Sequence, residues 1–149
     1  MHTTEPTATT LHIVGLELRT DNQQAAQTIP AHWARFQAEQ VLARLNGRLD
    51  DVVHAVYTHF AHPGQDNLGT YSLIIGAQVA EGSAVPAGLV HTTIAPQRRA
   101  VFPVANGRFD LVGEAWQRIW ATTDLDKTYL CDFERYQPNG QIDILVGIR

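Results

Sequence analysis

Among the 149 residues of this chain, Glu134 has the setting best suited to chemistry. It stands in LCDFERY, residues 130–136, where strand alternation turns Cys131 and Phe133 to one face and Asp132, Glu134 and Tyr136 to the other. The two apolar residues are expected beneath a helix, which leaves Glu134 on the opposite face beside Tyr136. A carboxylate among aromatic rings is costly to desolvate, so burial raises its pKa unless a cation or hydrogen-bond donors compensate. Such a group has two uses. It neutralises a lipophilic cation whose flat body stacks on the rings, or it acts as general base on a water. A solvated strand Glu next to Arg135 would do neither.

Other chemistries find less support. His59 and His62 form an HxxH, with His54 nearby in sequence and Asp66 the one acidic residue to add, which is short of a zinc ligand set; no metal is expected. His91, on an alternating strand, reads as solvated. Ser72 and Ser83 are the only serines and neither lies in a GxSxG elbow. Cys131 has apolar parity, which argues against a reactive thiol. No GxGxxG or phosphate-loop pattern occurs, so no cofactor is expected.

The elements that must position Glu134 follow from periodicity. Residues 1–10, with five Thr, read as a flexible tail, and residues 11–149 as one domain. Strands are predicted at 11–20, 52–60 and 70–79. A helix is predicted over Pro30–Leu45, with Ala34, Ala38, Val41, Leu42 and Leu45 on one arc, Trp33 at its edge and Phe36 off it. LVHTTIA and RRAVFPVA read as a strand pair turning at Pro96-Gln97. Asp110–Thr123 reads as a helix with Trp116 mid-arc, in the core, and Trp120 at the arc edge. TYLCDFERY and QIDILVGIR close the chain as a hairpin through Pro138-Asn139-Gly140.

The order strand, helix, strand, strand thus occurs twice, over about 11–80 and about 88–149. AHWARF is matched by EAWQRI, and Gly69 and Gly76 are spaced like Gly140 and Gly147. Two halves sharing a sheet would bury the face each alone exposes. Aligning them sets Thr58 against Glu134 and Phe60 against Tyr136, so the carboxylate is present in one half only. Phe60 and Tyr136 are pocket candidates on parity, Trp33 and Trp120 as arc-edge rings, and Phe36 as a ring outside the helix's own sheet contact. Tyr57 and Tyr71 share parity with apolar neighbours and on that ground read as core tyrosines, though both are kept among the ligand-binding candidates.

Composition sets outer limits. A net charge of −4 and 44% apolar residues describe a soluble globular chain without a dominant phosphate-binding surface, so no direct nucleic-acid contact is expected. No apolar run approaches the ~20 residues of a membrane span, and MHTTEPTATT lacks the features of a secretory signal. A cytoplasmic location is expected.

IPAHWARF, AVYTHF, GTYSLIIGAQV, EAWQRIW, CDFERY and QIDILVGIR, in this order, resemble the GyrI-like small-molecule-binding domain, which is also the effector-binding domain of AraC-type and MerR-type bacterial transcription activators. The resemblance runs from about Val14 to the C-terminus, without the helix-turn-helix segment of the regulators, and so implies a stand-alone form. It implies an α+β fold of two tandem βαββ repeats with pseudo-twofold symmetry, an antiparallel sheet with helices on one face, and a ligand groove between the repeats. It further implies that Glu134 meets the ligand and that Tyr57 lines the pocket. The expected function is capture of a lipophilic, cationic or aromatic small molecule, linked to transcriptional regulation or to protection from drugs and toxins, without enzymatic turnover. Two alternatives remain at this level: a hydrolase of strained, cyclopropane-type molecules using the same Glu, and an interaction module for gyrase or a separate DNA-binding regulator.

Overall fold

The computed structural model describes residues 2–6 and 9–149. Strands β1 (Thr3–Pro6) and β2 (Leu11–Thr20) are followed by helices α1 (Ala25–Ala38) and α2 (Val41–Arg44). Next come β3 (Val53–Thr58), β4 (Tyr71–Gln78), β5 (Val90–Ile94) and β6 (Arg98–Val104). A single 3-10 turn, Phe109–Leu111, leads into α3 (Val112–Ala121), and β7 (Cys131–Tyr136) and β8 (Ile142–Gly147) complete the chain. Among the described residues all eight strands join one sheet in the order β1-β6-β8-β7-β3-β4-β2-β5, every neighbouring pair antiparallel. Among the described residues no helix is long and apolar enough to cross a membrane.

The sheet cannot lie flat. β5 and β6 stand six strand positions apart, ~29 Å in a flat sheet. Only residues 95–97 join them, a reach of at most ~14 Å. The sheet must therefore curl, and in it Gly15 of β2 and Gly76 of β4 face each other at close approach. A Cβ on either glycine would collide with the backbone of the other strand. The inner face of the curl buries Ile13, Val56, Ile74, Ile94, Phe133 and Leu145 against one another with no helix over them. The outer face carries both long helices: α1 over Val14, Leu16, Leu73 and Ile75, α3 over Ile142, Ile144 and Val146.

Four expectations are corrected here. LVHTTIA and RRAVFPVA do not pair with each other: β5 pairs with β2, and β6 with β8 and β1. Residues 3–6, expected in a flexible tail, form an edge strand; three β-extended residues and a terminal proline suit an edge, and Glu5 reaches Arg135 at 3.2 Å. Residues 1, 7 and 8 of that segment lie outside the described residues. Cys131 and Phe133 do lie opposite Glu134, but they face the helix-free interior of the curl, and the helices cover the Glu134 face.

The fourth concerns the first helix. It starts at Ala25, not Pro30, and breaks at Glu39-Gln40, where Gln40 adopts φ 50°. Its buried residues are His32 and Phe36, while Ala34 and Ala38 are exposed. The break resets the helical phase, so a single arc through residue 45 never forms. Phe36 is consequently a core residue, 3% exposed among Val14, Leu16 and Leu73.

Candidate functional site

α1 and α3 stand apart on the outer face, and the space between them is a cavity of about 720 Å3, within the range of small-molecule sites. Pro30 lies inside α1 and has no N–H to offer the Ala26 carbonyl; both residues line this cavity. Glu134 comes from β7, in the middle of the sheet, and is only 2% exposed. Its carboxylate receives three neutral donors. Tyr57 Oη and Trp116 Nε1 each donate to Oε2 at 2.7 Å, and Tyr136 Oη donates to Oε1 at 2.5 Å. The donors come from β3, α3 and β7, so the fold has to be complete before the carboxylate is satisfied.

Two chains of aromatic contacts converge on that carboxylate. On the α1 side, Trp33 meets Tyr136 edge-on at 5.2 Å, and Tyr136 stacks on Phe109 at 5.8 Å. On the other side, Phe60 contacts Tyr71, Tyr71 contacts Tyr57, Tyr57 meets Trp116 at 5.2 Å, and Trp116 contacts Trp120. Burial pushes the Glu134 carboxyl above its ordinary range, and the hydrogen bonds from Tyr136, Tyr57 and Trp116 oppose part of that rise. No cationic side chain contributes. Tyr57 and Tyr136 are raised well above 10, first by burial and then by the neighbouring carboxylate, so both remain protonated donors. Tyr71 is pushed up to about 12 by burial and then by Asp21 and Glu134. The result is a buried carboxyl group, hydrogen-bonded but without a salt-bridge partner among the described residues, walled by rings whose faces attract cations.

The sequence profile of the Cass2 family, integron-associated effector-binding proteins, matches residues 7–148. The chain belongs to that family. Among solved structures, an integron cassette protein from the mobile metagenome of Vibrio cholerae superposes with TM-score 0.75 at 17% identity, covering 99% of this chain and 95% of the other. A Staphylococcus aureus MU50 protein described as a bacterial transcription regulation protein gives TM-score 0.77 at 18% identity, covering 100% and 98%. The protein SAV2435, in its structure bound to tetraphenylphosphonium, gives TM-score 0.77 at 20% identity, covering 100% and 94%. No curated protein sequence matches.

In this Cass2-family chain Glu134, Trp33, Tyr57, Phe60, Tyr71, Trp120 and Tyr136 all line the cavity, and Phe36 does not. Phe36 instead supports Trp33 from the core, edge-on at 5.8 Å. Thr58, aligned with Glu134 by sequence, faces the inside of the curl opposite Cys131; the residue directly across from Glu134 is Ala55. Sequence reasoning missed Trp116, which is both core and pocket: 8% exposed, with its indole N–H on Glu134. It also missed Phe109, 65% exposed at the rim, whose place depends on the 3-10 turn before α3. The HxxH residues do not converge on an ion. His62 pairs with Asp66 at 2.8 Å, and no group of three or more His, Cys, Asp or Glu among the described residues is placed to hold a metal.

A second polar point lies in the same cavity. Asp132, two residues before Glu134 on the same face, accepts the Gly147 N–H at 2.8 Å, and Lys127 donates to the Thr122 carbonyl at 2.7 Å. Burial lifts Asp132 from 3.8 to about 6 against the pull of the Gly147 N–H, Arg99 and Lys127. A carboxyl whose folded pKa is raised favours folding when protonated. Its contribution therefore falls as pH rises from about 4 through about 6, by roughly 2–3 kcal/mol. Asp132→Asn keeps the acceptor for Gly147 and removes this dependence. Urea unfolding from about pH 4 to about pH 7 should show the variant gaining roughly that amount on the natural chain; parallel stability curves would contradict the shift.

Proposed function

We propose that this protein captures a lipophilic organic cation, with Glu134 as the buried counter-charge and the rings of Trp33, Tyr57, Trp116 and Tyr136 as stacking surface. The observation that carries the proposal is a carboxylate buried in a roomy aromatic cavity with three neutral donors and, among the described residues, no cationic side chain paired with it. A bound cation would supply the missing charge, and desolvation would strengthen its attraction to both carboxylate and rings. The structural likeness to SAV2435, solved with tetraphenylphosphonium, supports a cationic ligand of this shape. Sheet order supports a duplicated βαββ architecture, since β2-β4-β3 and β6-β8-β7 meet at the central β3–β7 pair with α1 and α3 on either side of the cavity. Regulation through a separate DNA-binding protein, or protection from toxic compounds, would be the use of such capture.

The hydrolytic alternative is less well served. Three donors occupy most of the roughly four lone-pair positions of the carboxylate and leave little room for an attacking water, although burial raises its basicity. A gyrase or regulator interface draws no support from a site that faces inward between two helices. Titration with tetraphenylphosphonium, followed by tryptophan emission, tests the proposal. Three of the rings in or beside the cavity are tryptophans, so saturable 1:1 quenching is the expected result. No change in emission, with no heat in calorimetry, would overturn it.

A further inference from the structure

We propose that His12 and His91 form a two-histidine site for a divalent transition-metal ion, Cu2+ ahead of Ni2+ and Zn2+, on the outer face of the sheet at its β5 edge. His12 lies on β2 and His91 on β5, and the register sets Val14 opposite His91 and His12 opposite Thr93. The two histidines are therefore diagonal neighbours on one face of an antiparallel pair, within reach of each other. His12 Nδ1 and His91 Nε2 are 3.0 Å apart, and the rings lie within 21° of parallel with centroids 5.2 Å apart. Two neutral imidazoles in this arrangement share one proton between the facing nitrogens.

The same separation suits a metal. Metal–nitrogen bonds of about 2.0–2.1 Å at the angles of square-planar or tetrahedral coordination hold two cis nitrogens ~2.9–3.4 Å apart. When the ring that carries the shared proton passes it to its outer nitrogen and the two rings turn about their side-chain bonds, both inner lone pairs converge on one ion with no net change in protonation. Waters complete the coordination. The pair stands exposed at the surface, which leaves room for those waters. The remaining histidines near carboxylates are differently placed: His59 faces Ser72 and Glu17, and His62 faces Asp66. The order of metals follows their general affinity for imidazole. A bound ion would tie β5, which pairs only with β2 among the described residues, to the body of the sheet.

Calorimetric titration of the full chain with CuCl2, NiCl2 and ZnCl2 tests the site. One ion per chain is expected, with Cu2+ strongest, and His12→Asn and His91→Asn should each weaken binding about 100-fold by removing the chelate. At about a hundredfold excess over Kd the melting temperature should rise by about 9 °C in the natural chain and by only about 1 °C in either variant. Both side chains are at the surface, so the variants should fold. Binding unaffected by either substitution, or lost on His59→Asn or His62→Asn instead, would overturn the proposal.

Discussion

Glu134→Gln is expected to abolish most of the affinity for an organic cation while leaving the fold intact. The amide keeps the shape of the side chain. Its oxygen accepts from Tyr57 and Trp116, and its nitrogen donates to the Tyr136 hydroxyl. What disappears is the charge. Removing one member of a buried charge pair costs about 2–5 kcal/mol, so tetraphenylphosphonium should bind at least ~30-fold more weakly. The empty protein should be as stable as before or more so at neutral pH, because burial of the ionised carboxylate works against folding. Isothermal calorimetry beside thermal melting separates the two effects. Equal loss of binding and of melting temperature would point to a structural role, and unchanged binding would remove Glu134 from the ligand site.

Gly113→Trp is expected to close the cavity without harming the fold. Gly113 is the second residue of α3 and lines the space between the helices; a Cβ placed there meets no atom within 4 Å. An indole at this position occupies the volume a ligand would need. Overpacking a formed site costs about 1–3 kcal/mol, so affinity should fall by ~5–150-fold. Replacing a helical glycine restricts the unfolded chain, so stability should hold or rise by up to ~1 kcal/mol. Unchanged affinity would mean that the ligand sits elsewhere. Together with Glu134→Gln, this variant separates shape from charge, because it leaves the carboxylate and its three donors in place.

The carboxylate was legible in sequence because strand parity fixes which neighbours share a face. Glu134 and Tyr136 do share one, and Cys131 and Phe133 lie on the other. Which of those faces the helices cover was not legible. That choice depends on the direction of the sheet's curl, which the three-residue link between β5 and β6 requires but which strand parity does not encode. The same link made two strands that never pair look like a hairpin. Phe36 was misplaced because no residue type announces the left-handed turn at Gln40 that ends α1. Trp116 was read as core from its arc position, which is correct, but burial and ligand contact coincide where a helix flanks an internal cavity. His12 and His91 lie 79 residues apart, so only the pairing of β2 with β5 brings them together.

The central claim is that the unpaired carboxylate of Glu134, in a space shaped for stacked rings, decides what this protein holds. Tetraphenylphosphonium and tetraphenylborate are nearly the same in shape and opposite in charge. Their affinities for the natural chain and for Glu134→Gln, measured side by side, test that claim most directly. The phosphonium is expected to bind at least ~100-fold more tightly, about 2.7 kcal/mol. Equal affinity for the two ions, or preference for the borate, would contradict it.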